Sequence, residues 1–201
     1  TVFVWSVSGP SQAEQIEPVT ASTAERIAAA AKAQAAGYTV RYKFKPIIPV
    51  PGWRADAAEA VRMIFEHTRP DLISLCVFMW MDIDEMVRRI GRDKLDPEML
   101  AAAEDAAERV KDSRCRPFPP EARAEIYRHY LREIRKYDPD IPVSLSTENA
   151  DLWGRLGEEL GCNAVNYVCG CGPNSTPHRK LLTCHPFQVA AAGPQGGFEK
   201  M

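Results

Sequence analysis

The chain contains no apolar run approaching the roughly 20 residues that a bilayer-spanning helix needs; the longest, Leu72–Met81, is about half of that. No transmembrane helix is therefore expected. Neither sign of charge prevails. Twenty-five Lys and Arg stand against 27 Asp and Glu, a net charge of −2, which argues against a purely electrostatic nucleic-acid binder but leaves room for a local basic surface. Histidine is scarce, and His67, His129, His178 and His185 include no pair at the i, i+4 spacing of a helical metal site. The phosphate-cradling G-x-x-x-x-G-K and the nucleophile elbow G-x-S-x-G are both missing. Thr1 runs directly into Val-Phe-Val-Trp with no methionine, charged leader or signal segment, so the chain reads as one entered in mid-fold. Without a secretion signal, the six cysteines are expected as reduced thiols in a cytoplasmic setting rather than as a disulfide framework.

What is present is the material of an ordinary globular domain: 201 residues, 45% hydrophobic and 26% charged. Apolar periodicity and Gly/Pro punctuation predict strands at Val2–Val7, Thr39–Pro46, Leu72–Phe78, Pro142–Ser146 and near Ala164–Val168. A polar loop is expected from Ser8 to Thr20. Helices are expected over Thr23–Ala36, with a Ser22/Glu25 capping box and Gly37 as the stop, and over Ala55–Thr68, Asp82–Ile90, Pro97–Lys111, Glu121–Tyr137 and Asn149–Leu160. Each strand reaches the next through a crossover long enough to hold a helix, which predicts an α/β fold with parallel strands. Five strands cannot close an eight-stranded barrel, so the choice lies between an open sheet and part of a barrel. Arg41, Lys43 and Lys45 alternate with Val40, Tyr42 and Phe44, a pattern expected of the wet face of an edge strand.

Ligands of parallel α/β sheets bind at the carboxyl ends of the strands. The residues there are Ser6, Ser8, Lys45, Pro46, Phe78, Met79, Ser146, Thr147 and Glu148: hydroxyls, an ammonium and a carboxylate suited to a polar small molecule. Glu148 with Asp82 or Asp84 offers generic acid–base carboxylates. Cys162, Cys169, Cys171 and Cys184 supply soft thiolates in a Gly-rich stretch, so a non-catalytic module binding zinc or an iron–sulfur cluster is one reading. Cys76, inside an apolar strand, is expected in the core, and Cys115 as an exposed loop thiol.

A second reading rests on an ordered set of short motifs: Ser6-Val7-Ser8; Glu17-Pro18-x-Thr20-Ala21-Ser22 followed by Glu25-Arg26; Ala36-Gly37-Tyr38-x-Val40; and Pro46-Ile47-Ile48-Pro49 with Gly52-Trp53. Arg123-x-x-x-Tyr127 and Ser146-x-Glu148-x-x-x-x-Trp153 complete it. Over about residues 2–160 the set resembles the C-terminal part of spore photoproduct lyase-like radical S-adenosylmethionine proteins. The resemblance implies a partial (β/α)6, TIM-like barrel covering residues 1–168, followed by a Cys/Gly/Pro-rich tail over 169–201. It further implies a [4Fe–4S] cluster that cleaves S-adenosylmethionine to a 5′-deoxyadenosyl radical. That radical would then repair a thymine photoproduct in DNA. Ser6 falls at the position of a serine that contacts S-adenosylmethionine, with Ser8, Lys45 and Pro46 around the same pocket. Arg114, Arg116 and Phe118 fall near a loop that approaches damaged DNA. The cluster-binding C-x3-C-x2-C does not occur in these residues, and Pro117 stands where the family pattern has an aromatic.

Overall fold

A computed structural model describes residues 1–164 and 167. It is an α/β structure built on four parallel strands: β1 (Val2–Val7), β2 (Thr39–Ile47), β3 (Ile73–Val77) and β4 (Val143–Leu145). They lie in the sheet in chain order, β1-β2-β3-β4. The fifth expected strand falls on residues 164–168, of which only Ala164 and Tyr167 are described. Among the described residues the sheet is open, so its closure into a barrel is no part of the observed fold.

Between the strands run the helices α1 (Pro10–Ile16), α2 (Thr23–Ala35), α3 (Trp53–His67), α4 (Ile83–Ile90), α5 (Pro97–Val110) and α6 (Pro120–Arg135). Two short helices, α7 (Ala150–Arg155) and α8 (Gly157–Leu160), occupy the span expected as one. The capping box of α2 is complete: Ser22 Oγ accepts from the Glu25 amide, and the Glu25 carboxylate accepts from the Ser22 amide at 2.8 Å. Gly37, just past the end of α2, adopts φ +88°, a conformation glycine reaches without a Cβ penalty.

Helix α1 corrects the expected loop over Ser8–Thr20. Its N-cap residue, Gly9, has no side chain, but Asp56 on α3 accepts from the Ser11 and Gln12 amides at 2.7 and 3.3 Å. The cap thus comes from 45 residues away in sequence, where a reading of local signals has no access to it.

Register assigns the two faces of the sheet. Val7, Tyr42, Phe44, Ile73, Leu75, Val143 and Leu145 share one face and belong to a single buried core with Ile27 of α2, Val61 and Ile64 of α3, and Ile126 and Tyr130 of α6. The opposite face is polar. There Ser6, Lys43, Ser74 and Ser144 form one row across all four strands, and the Ser74 and Ser144 hydroxyls bond at 2.8 Å. Sequential strand order with helices packed on one face is what right-handed crossovers repeated in one direction produce.

The expectation of an edge strand at Thr39–Pro46 is overturned. β2 lies between β1 and β3, and Arg41 is buried in an ion pair with Asp71 at 2.6 Å. The alternating basic residues thus lie on the polar face of a central strand, with Arg41 buried and Lys43 and Lys45 half-buried.

Candidate site at the carboxyl ends of the strands

Past their carboxyl ends, β2, β3 and β4 pass into segments that converge. The Lys45 ammonium lies 3.3 Å from Ser146 Oγ and 5.4 Å from the centre of the Trp80 ring. Trp80 is just over half exposed, a large apolar surface left to solvent beside a cation. Trp80 and Thr147 adopt φ of +72° and +64°, and they are the non-glycine residues with positive φ among those described. For a β-branched threonine and a bulky tryptophan this conformation is costly, and such strain concentrates at functional sites.

Beneath this surface is a buried network. The Glu148 side chain is fully buried; its Oε1 accepts from Tyr127 Oη at 2.7 Å and from Arg123 Nε at 3.1 Å. Tyr127 Oη in turn accepts from the Val77 amide at 2.9 Å, tying the end of β3 to α6. Arg123 donates to the carbonyls of Cys115 and Phe118 at 3.2 and 2.5 Å, which fixes the loop before α6. Burial, and then the Glu148 charge, push the Tyr127 hydroxyl well above its ordinary value, so it stays a donor. Arg123-x-x-x-Tyr127 and Ser146-x-Glu148 are therefore one structural unit.

A second network closes the end of β1. The Ser8 hydroxyl donates to Glu17, which also accepts from Gln12 Nε2 at 3.1 Å and Arg26 Nη2 at 2.7 Å. Gln12 reaches on to the Pro46 carbonyl and the Ile48 amide, both at 2.9 Å, and so holds the loop after β2. Burial raises the Glu17 pKa, but the hydrogen bonds from Ser8, Arg26 and Gln12 and the Arg26 charge outweigh it; the net shift is downward. A cavity of about 620 Å³ lies beside this network among α1, α2 and α3, away from Lys45 and Trp80.

The sequence candidates separate accordingly. Lys45 and Ser146 meet, with Met79 and Thr147 next to them. Ser6 is exposed on the polar face of the sheet, in register with Lys43. Ser8 is buried, its hydroxyl committed to Glu17, and the Pro46 carbonyl is committed to Gln12. Of the loop residues, Arg114 is exposed, Arg116 pairs with Asp82 at 2.5 Å, and the Phe118 ring is a core side chain with 1% exposure. The Glu148 side chain is sealed in its pair with Arg123, whereas Asp82 and Asp84 are both exposed.

Cys162 is buried and donates to the Val143 carbonyl at 3.7 Å, and burial pushes its thiol up to about 11. Cys169, Cys171 and Cys184 lie outside the described residues, among which no three His, Cys, Asp or Glu side chains group as metal ligands. Cys76 is in the core as expected, whereas Cys115 is buried rather than exposed, because the loop that carries it is pulled inward by Arg123. Trp80 was missed. Its signal was an indole three residues past the end of β3, ahead of the N-terminus of α4. No helix among the described residues is long and apolar enough to cross a membrane. Compared with protein-family models, curated proteins and solved structures, the chain matches none.

Proposed function

We propose that the chain is the C-terminal part of a radical S-adenosylmethionine enzyme of the spore photoproduct lyase type, and that the ends of β1 and β2 and the segments after β3 and β4 form its half of the cofactor pocket. The observation that carries this reading is Lys45, an ammonium at the end of β2 that stands beside a serine hydroxyl and an exposed indole. A ligand with a carboxylate, ribose hydroxyls and a flat base suits that set. Lys45 would bind the carboxylate, Ser6 and Ser146 the hydroxyls, and Trp80 would cover the base and keep water from it. Ser8 drops out of the contact set and acts instead through Glu17, as a support for the loops.

When bound, S-adenosylmethionine supplies a 5′-deoxyadenosyl group for radical hydrogen abstraction. The described residues do not fit a [4Fe–4S] cluster: they carry no group of three His, Cys, Asp or Glu side chains, and C-x3-C-x2-C is missing. On this reading the cluster is held by residues outside these 201. Action on damaged DNA rests on the resemblance together with the exposed Arg114 and the half-buried Arg116.

The test is calorimetric titration of the chain with S-adenosylmethionine and with S-adenosylhomocysteine. Binding is expected, weakened about tenfold or more by Lys45→Ala, in line with roughly 1.5–3 kcal/mol for a charged hydrogen bond. A folded chain that binds neither compound, or binds both equally well after Lys45→Ala and Trp80→Ala, refutes the proposal.

A further inference from the structure

Three sulfur atoms converge beneath the carboxyl ends of β3 and β4, in a place that the cofactor reading does not use. Cys76, Met79 and Cys115 pack together as a small cluster of buried residues separate from the main core. All three sulfurs gather on Thr147: Cys76 Sγ and Met79 Sδ each lie 3.4 Å from its Oγ1, and Cys115 Sγ lies 3.9 Å from its carbonyl oxygen. The residues come from β3, from the segment after it, and from the loop before α6, so only the folded chain brings them together.

We propose that Cys76, Cys115 and Met79 form a binding site for a soft monovalent metal ion, Cu(I) being the physiological candidate. Two thiolates and a thioether are the donors such an ion prefers, and the all-sulfur set excludes hard cations such as magnesium or calcium. A Cu(I) ion held by two thiolates carries one net negative charge, and Lys43 and Lys45 act electrostatically on Cys76 in the sense that favours its anion. Glu148 acts the other way on both thiols, opposed at Cys115 by Arg123. Burial keeps both thiols protonated in the metal-free chain, so they resist chance oxidation and alkylation. On binding, each thiol gives its proton to solvent as its sulfur–metal bond forms, with no change in oxidation state of metal or sulfur. The site shares the Lys45 charge with the S-adenosylmethionine reading but takes none of its ligands from it, so copper uptake tests it separately.

The experiment is anaerobic titration with Cu(I) in competition with a chromophoric chelator. It uses a chain in which Cys162, Cys169, Cys171 and Cys184 are replaced by alanine, with folding checked by circular dichroism. One equivalent of Cu(I) is expected. Cys76→Ser and Cys115→Ser should each abolish it, and the near-isosteric Met79→Leu should weaken it about tenfold. A folded background chain that takes up no copper, or one whose copper survives either serine substitution or is indifferent to Met79→Leu, overturns the site. If the fourfold alanine chain does not fold, the same substitutions are made in the unaltered chain. There each serine variant lowers the saturating stoichiometry by one, and an unchanged stoichiometry overturns the proposal.

Discussion

Glu148 carries more of this molecule than its generic position after a strand suggests. Its carboxylate is fully buried against Arg123, and Tyr127 links it to the amide of Val77. Tyr127→Phe removes a hydroxyl that serves two buried partners at once. It is expected to destabilise the chain by about 1–3 kcal/mol, the cost of buried polar groups left without a partner, read as a lowered urea midpoint. A midpoint unchanged by the substitution would mean that the network contributes nothing. Glu17 makes a pH-dependent prediction. Its folded pKa lies below the ordinary 4.5, so the stabilisation it provides is complete above 4.5 and is lost as pH falls through the lower folded value. Other carboxylates titrate in the same window. The measurement is therefore the difference in urea midpoint between the unaltered chain and Glu17→Gln, which should shrink as the solution is acidified; a difference that stays constant below 4.5 contradicts the assignment.

Helix α1 is an element held by another element. A Cβ added to Gly9 would lie 1.9 Å from Asp56 Oδ2, which cannot move aside without releasing the Ser11 and Gln12 amides. Gly9→Ala and Asp56→Ala are each expected to cost about 1–2 kcal/mol, and the double variant clearly less than their sum, because both act through one cap. Additive losses in chemical denaturation would show that the two residues act separately. The helices with strong local signals were legible in the sequence: Ser22 and Glu25 announced α2, and the apolar spacing in α5 and α6 was plain. Helix α1 was not, since its stabilising carboxylate belongs to α3. The Asn149–Leu160 span divides at Leu156, where φ −113° and ψ 3° interrupt the helical path, a break that the periodicity did not reveal.

At the scale of the whole molecule, the sheet has two different sides and two different kinds of strand. β2 and β3 have neighbours on both sides, while β1 has only β2 among the described residues. Amide hydrogen exchange followed by mass spectrometry should find the slowest amides in β2 and β3 and faster exchange in β1. Equal protection of β1 would show that its outer edge is covered in solution, by further chain or by another copy. The polar side of the sheet, with the row Ser6, Lys43, Ser74 and Ser144, leads upward to Lys45, Ser146 and Trp80, so the proposed cofactor surface is continuous with it.

Hydropathy and punctuation in the sequence were enough to determine an α/β chain of parallel strands, the positions of four of them, most of the helices and the absence of a membrane-spanning helix in the described residues. These follow from interactions a few residues long: alternation, capping, and the crossovers that parallel pairing demands. Only the tertiary structure decided that Arg41, Lys43 and Lys45 lie on a central strand, because edge and centre depend on strand order, which local pattern does not encode. It likewise decided that Ser8 supports Glu17 rather than a ligand, and that Phe118 is core. Arg123, Tyr127 and Glu148 meet, as do Cys76, Met79 and Cys115, because crossovers of tens of residues fold back onto the same ends of β3 and β4. Contacts of that range follow from packing and leave no periodic trace in the chain.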